Sequence, residues 1–193
     1  MTVQEDWWRG DFGSQYVQRN RVDWRRRKSF WEPILDWLEP ENVLEVGTNC
    51  GWNLRAIRDL RKDIELKGVD VNPDAIAEAT SAGLDVEEMS ALDVGSRWPN
   101  EYDLTLTSGV LIHIGPDHIH QAMESIIAAS RKYVLAVEYA GKTEEHVDYR
   151  GHSDRLWRRP YGEMYEAMGL TLVDSGSAPN SFDRCHFWLF DKR

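Results

Sequence analysis

Val43-Leu44-Glu45-Val46-Gly47-Thr48-Asn49-Cys50-Gly51 decides how this chain is read: an apolar run suited to a buried strand enters a glycine-bracketed loop that opens a helix. Glycine has no Cβ, so at Gly47 and Gly51 the backbone can take tight-turn dihedrals and a ligand can lie against the main chain. The helix that follows offers free N–H groups and the positive end of its dipole, which favour a phosphate or carboxylate at the loop. Spacing separates the ligand chemistries. A dinucleotide fingerprint would put glycines at 47, 49 and 52, where this chain has Gly47, Asn49 and Trp52. A triphosphate loop needs Gly-Lys-Ser/Thr, yet Gly51 precedes Trp52 and Asn53. What remains is Glu45, Gly47 and Gly51, followed by a second strand ending Lys67-Gly68-Val69-Asp70-Val71. A carboxylate at that strand tip can accept hydrogen bonds from both hydroxyls of a ribose, so loop and Asp70 together describe an adenosine site. Taken singly, Glu45 also reads as a charge closing a strand, and Asp70 as a turn carboxylate before Asn72-Pro73.

Through Glu45-x-Gly47-x-x-x-Gly51, Asp70 and Thr107-Ser108-Gly109-Val110-Leu111-Ile112-His113 after a fourth strand, the chain resembles the class I S-adenosylmethionine-dependent methyltransferases over residues 40–193. It is further similar to the small methylases associated with pseudaminic acid and other surface-sugar gene clusters. The matching words are Phe12-Gly13-x-x-Tyr16-x-x-Arg19-Asn20, Leu44 to Leu54, Gly68-Val69-Asp70-Val71-Asn72-Pro73, Ser108 to Ile114, and Tyr149-Arg150-Gly151-His152-x-Asp154-x-Leu156-Trp157. The resemblance implies S-adenosylmethionine as cofactor, S-adenosylhomocysteine as product, and transfer without a metal. It implies that Glu45 orders the methionine end and that Gly47, Thr48, Asn49 and Gly51 lie under the cofactor. Asp70 would hold the ribose, Ser90, Ala91 and Leu92 the adenine, and Ser108 and Gly109 the rim of the fourth strand.

The composition restricts the partners. With 23 Lys and Arg against 33 Asp and Glu, the net charge of −10 argues against a broad nucleic-acid footprint and favours a small-molecule acceptor. Arg25-Arg26-Arg27-Lys28 departs from that balance and reads either as an anion site or as a solvated helix face. Two cysteines make no disulfide framework, and no apolar run reaches the roughly 18 residues of a membrane span, so a cytoplasmic protein is expected. No motif assigns an oligomeric state.

Strands are expected at 42–46, 65–71, 84–89, 102–107, 133–138, 170–173 and 185–190, with helices at 14–38, 51–61, from Pro73, 117–130 and 163–168. Phe30, Ile34, Leu35, Trp37 and Leu38 are spaced for one apolar face, with Pro33 near a helix start and Asp117 as a cap. Strands separated by helical crossovers predict an α/β fold: one domain with a doubly wound, mostly parallel seven-stranded sheet and a crevice at the strands' carboxyl ends. Residues 1–40 form a helical, aromatic lid on a cofactor-binding core at 41–193. Residues 139–161, polar and aromatic without a period, read as a long substrate loop with one short helical piece.

For the chemistry, His113 follows the fourth strand and titrates near neutrality, so it is the candidate base, with Tyr139 the runner-up. A structural hydrogen bond accounts for His113 equally well. Asp117, His118 and His120 lack the i, i+4 spacing of a helical metal site, so no metal is expected. Cys50, near a helix start but without a base, reads as packing. Tyr16 and Arg19 are expected at the cofactor's methionine end. Trp8, Phe12, Tyr149, Arg150, His152, Arg155 and Trp157 are the candidates for the acceptor, whose carboxylate an arginine can fork onto. Packing would claim Trp31, Trp37 and Trp188. The expected activity is methyl transfer to an oxygen or nitrogen of a small polar acceptor, by resemblance a sialic-acid-like or nucleotide-linked sugar. An amino acid or natural-product acceptor, a non-methylating use of the cofactor such as cyclisation, and a non-catalytic binding module are the alternatives.

Overall fold

The computed structural model describes residues 2–193. Helices α1 (Val3–Arg9) and α2 (Asp11–Arg19) lead through a 3-10 turn at Trp24–Arg27 into α3 (Lys28–Leu38). The single helix expected over 14–38 is therefore interrupted. Asn20 ends α2 in extended backbone, and Asp23 caps the turn by accepting from Arg25 N at 3.2 Å. In α3, Phe30, Trp31, Ile34, Leu35 and Leu38 are buried. Trp37, expected among them, lies outside that stripe and is 57 % exposed, and Pro33 sits inside the helix on its exposed side.

The strands are β1 (Asn42–Val46), β2 (Glu65–Asp70), β3 (Asp85–Glu88), β4 (Tyr102–Ser108), β5 (Ser130–Glu138), β6 (Glu145–His146), β7 (Trp157–Arg158), β8 (Thr171–Ser177) and β9 (His186–Asp191). Seven of them form one sheet in the order β3-β2-β1-β4-β5-β9-β8, parallel through β5, with β9 antiparallel to both neighbours. The predicted doubly wound sheet is thus present. Its crossovers are α4 (Trp52–Leu60), α5 (Pro73–Ser81), α6 (Val94–Arg97), α7 (Ile119–Ala129) and α8 (Tyr161–Ala167). Because side chains alternate along a strand, Val43, Leu135 and Val137 pack under α3 and α4 with Trp31, Leu35 and Ile57, while Leu44, Val134 and Ala136 face Met123 and Ile126 of α7. Among the described residues no helix is long and apolar enough to cross a membrane.

Two local expectations are corrected. His118, without a side-chain bond, occupies the α7 cap position in place of Asp117. Residues 139–160 hold no helix, and the expected loop gives way at Tyr161 to the start of α8: β6 pairs with β7, and Tyr149 and His152 exchange backbone hydrogen bonds at 2.9 and 3.0 Å. Arg150 and Gly151 between them both have positive φ, 53° and 81°, the conformation of a two-residue hairpin turn.

Trp31 is fully buried between α3 and the sheet and donates its indole N–H to Asn53 at 3.2 Å. Trp31→Ala is expected to cost about 3–5 kcal/mol in urea unfolding. A loss under about 1 kcal/mol would mean that α3 does not dock on the sheet as described.

Candidate active site

Strand order runs away in both directions from β1, and ligands bind such sheets outside the carboxyl ends at this switch point. A crevice opens there, holding about 1110 Å³ of unfilled space with its mouth included. Glu45, at the end of β1, is 2 % exposed. Its Oε2 accepts from Thr48 Oγ1 at 2.8 Å and its Oε1 from Asn53 Nδ2 at 2.7 Å. Burial pushes its carboxyl up to about 7, against the pull of those two bonds and of Arg27. Asn53 extends the chain of contacts, its Oδ1 accepting from Arg27 Nη1 at 2.9 Å. Arg27 also donates from Nη2 to Ser181 O at 3.2 Å and lies 4.3 Å from the Phe182 ring centre. Its Nε is buried with no hydrogen-bond partner in the protein.

Asp70 ends β2 with both oxygens engaged, Oδ2 accepting from Asn49 N and Oδ1 from Asn72 N, each at 2.8 Å. Burial raises its pKa, and backbone N–H groups of Asn72, Asn49 and Val71 oppose the rise. Each oxygen keeps a second lone pair for a further donor. Asn49 takes φ 50°, the left-handed conformation that asparagine tolerates better than most residues. Gly51 serves packing: a Cβ there would stand 2.1 Å from Leu84 Cδ1. Gly47, Thr48, Asn49, Asp70, Ala91, Leu92, Ser108 and Gly109 all line the crevice. At Gly109 nothing lies within 4 Å of where a Cβ would be.

The arm closes the other side. Asn72 Nδ2 donates to Trp8 O at 2.9 Å, Arg9 pairs with Glu88 at 2.7 Å, and Ser90 Oγ donates to the Glu5 carboxylate. A Cβ at Gly13 would stand 1.7 Å from Trp8 O, so α1 and α2 meet at a corner only glycine permits. Trp8, Gln4, Glu5 and Tyr16 line the crevice. Two expectations are corrected here. Ser90 is turned away, spending its hydroxyl on Glu5 and on Leu92 N. Arg19 stands exposed outside, its guanidinium stacked 4.7 Å from the Phe12 ring centre, and Arg27 lines the crevice in its stead.

His113 lines the crevice on the 3-10 turn Leu111–His113, its ring 4.6 Å from Trp8 and 5.2 Å from Tyr149. Its Nδ1 lies 2.7 Å from Arg155 O. A carbonyl only accepts, so Nδ1 carries the proton and Nε2 keeps a lone pair. Burial lowers its pKa to about 4, against the raising effect of the Arg155 bond, so the ring is neutral at pH 7. The turn is clamped from both sides. Glu138, fully buried at the end of β5, accepts from Val110 N at 3.2 Å and Ile112 N at 3.4 Å, and Arg159 Nη1 donates to Leu111 O at 3.2 Å.

Tyr139 is corrected as the runner-up base. It lines a different cavity, donates its hydroxyl to Asp183, and burial drives its pKa well above the ordinary value. Trp157 is buried beside Leu156, and Arg150 is exposed on the hairpin turn. Phe12, Tyr149 and His152 gather around Trp7, with Phe12 stacked on it at 3.6 Å and Arg155 lying 5.3 Å from its ring centre. Cys50 is packed with Val17, Trp52 and Ala75, and burial pushes its thiol up to about 12. Asn53, Glu138 and Arg159 escaped the sequence reading. Only Arg27 had a signal there, the basic run, whose other members are exposed or face solvent pairs such as Lys28–Asp59.

No protein-family model and no curated protein matches the chain. Solved structures do match. An S-adenosylmethionine-dependent methyltransferase from Archaeoglobus fulgidus superposes with a TM-score of 0.71 at 13% identity, over 94% of this chain and 100% of that one. The magnesium protoporphyrin IX methyltransferase of Synechocystis with bound S-adenosylmethionine gives 0.71 at 11% identity, over 100% and 99%. The 1,6-didemethyltoxoflavin N1-methyltransferase of Burkholderia thailandensis, with bound 1,6-didemethyltoxoflavin and S-adenosylhomocysteine, gives 0.71 at 18% identity, over 98% and 87%. At such identities the likeness establishes architecture, and this chain has the Rossmann-like fold of those methyltransferases.

Proposed function

We propose that this chain is an S-adenosylmethionine-dependent methyltransferase acting on an oxygen or nitrogen of a small polar acceptor. The observation that carries the reading is one crevice holding both a ribose-competent carboxylate, Asp70, and a neutral imidazole with a free Nε2, His113. The residues present fit the cofactor. Asp70 has lone pairs left for ribose hydroxyls, Ala91 and Leu92 offer backbone and apolar surface to adenine, and Gly109 leaves open space. The buried, unpartnered Nε of Arg27 suits the cofactor's carboxylate, and Glu45 its ammonium.

When bound, the cofactor supplies a methyl group already activated by its sulfonium. The protein's task is then alignment, which can contribute a large share of the acceleration. Trp8, Tyr16 and the arm exclude water, and the clamp from Glu138 and Arg159 fixes the turn that carries His113. His113 Nε2 takes the proton that the acceptor gives up, with Nδ1 anchored on Arg155 O. The resemblance to sugar-cluster methylases makes a sialic-acid-like or nucleotide-linked sugar the acceptor we favour. Arg155 supports this, since its Nε is buried without a partner in the protein and its carbonyl already touches His113.

Three measurements test the reading. Asp70→Asn should weaken S-adenosylhomocysteine binding by roughly tenfold or more in calorimetry with the circular dichroism unchanged, and wild-type affinity would remove Asp70 from the ribose. His113→Gln should keep that binding while lowering turnover on an oxygen acceptor by about 10²-fold, so full turnover would end its role as base. Glu45 is neutral below about 7 and anionic above it, so S-adenosylhomocysteine affinity should rise as pH climbs through that value. Glu45→Gln should flatten the dependence, and an unchanged profile in the variant would detach Glu45 from the ammonium.

A further inference from the structure

A second concavity opens beyond the cofactor crevice, with about 1030 Å³ of unfilled space counted with its mouth. Its walls come from the end of β5, from β7 and from the turn between β8 and β9, and carry Tyr139, Arg158, Ser177, Asp183, Arg184 and His186. Alternation along extended backbone separates Arg158, at the end of β7, from its neighbour Arg159: Arg159 is buried against Leu111 O behind the His113 turn, while Arg158 faces this cavity. The 180–185 turn is a shared wall, since Ser181 O and the Phe182 ring contact Arg27 of the cofactor crevice.

The charge here runs against the rest of the molecule. The chain carries a net charge of −10, and Arg9, Arg21, Lys28, Arg131 and Arg159 each pair with a carboxylate. Among the described residues, Arg158 and Arg184 make no ion pair, although they share one cavity. The carboxylate within reach, Asp183, is engaged by the Tyr139 hydroxyl. Against that single carboxylate the two guanidiniums leave the cavity wall with an excess of positive charge, and an oxyanion in the cavity would balance it while accepting their forked N–H groups. The Ser177 hydroxyl and the His186 ring add neutral hydrogen-bonding groups on the same wall.

We propose that this cavity is an oxyanion site, in which Arg158 and Arg184 hold a phosphate or carboxylate with Ser177 and His186 completing the contacts. The site does not depend on methyl transfer. Its ligand is either an anionic group of the acceptor, extending past the 180–185 turn, or a free anion.

Calorimetry with inorganic phosphate, on the full chain loaded with S-adenosylhomocysteine and on the free chain, tests the site. Arg158→Gln/Arg184→Gln should weaken phosphate binding by roughly tenfold or more for each guanidinium removed, while S-adenosylhomocysteine affinity stays at the wild-type value. Lys62→Gln, at an exposed position after α4, is the charge control and should bind phosphate as wild type does. Equal phosphate affinity in the double variant and wild type, equal loss in the control, or no phosphate binding by wild type would each overturn the site. A hexose 1-phosphate separates the sources: tighter binding than phosphate, lost in the double variant, assigns the anion to an acceptor, and equal affinity assigns it to a free anion. Loss of S-adenosylhomocysteine binding in wild type would instead overturn the function proposed above and leave the phosphate result standing.

Discussion

The structure depends on one buried carboxylate. Glu45 closes β1 inside the protein, and Arg27 and Trp31 are tied to it through Asn53. A direct salt bridge between Glu45 and Arg27 would let the two charges satisfy each other. The Asn53 amide stands between them instead, donating to the acid and accepting from the guanidinium. Both groups remain at the crevice wall with capacity left over, an acid at one point and a cation at another. A zwitterionic amino-acid tail has the complementary pair. Desolvation acts on both, raising Glu45 and lowering Arg27, so the network is poised to gain from a ligand that restores the lost charge interactions.

The arm matters for a related reason. It is held on one flank by Asn72, Glu88 and Ser90 and on the other by rings around Tyr149, His152 and His113. Those two flanks belong to segments some 60 residues apart in sequence, β2–β3 and the 147–155 hairpin. α1 and α2 therefore bridge the two sides of the crevice opposite the sheet. Closing them raises the strength of every electrostatic contact inside by removing water. It also accounts for the tight corner at Gly13, where a side chain would hold the two helices apart.

What could be read from the sequence was local or periodic. Gly47, Asp70 and the strand–helix alternation follow from short-range chemistry, and the sheet order respects them. Asn49, taken as a departure from a dinucleotide loop, occupies the left-handed conformation a glycine would have supplied, and adds a side chain that accepts from Cys50 N at 2.8 Å. The same local logic failed where partners are distant. Arg27 was indistinguishable from Arg25 and Arg26 within its run, because Ser181 and Asn53 single it out only in three dimensions. Glu138 looked like the end of a strand, and its bonds to the 110–112 backbone depend on β5 lying beside β4. Arg19 sits in an aromatic stretch of sequence, Phe12-Gly13-x-x-Tyr16-x-x-Arg19, and its guanidinium is held by that setting, over Phe12 and outside the crevice.

The basicity of His113 bears on the kind of catalysis such a site can perform. A general base works best with a pKa near the working pH, and a ring held near 4 is well below that. It is always in the accepting form, but its pull on a proton is weak, so proton transfer cannot lead the reaction for an ordinary alcohol. Methyl transfer would have to run ahead of it, and the proton would leave as the acceptor oxygen or nitrogen gains positive charge. The burden then falls on alignment, which is where this chain has invested structure: a turn clamped by Glu138 and Arg159, a tautomer fixed by Arg155 O, and an arm lying across the opening. An anionic acceptor sharpens the point, because a charge held at the crevice wall both orients the nucleophile and raises the affinity of the imidazole for its proton as the reaction proceeds.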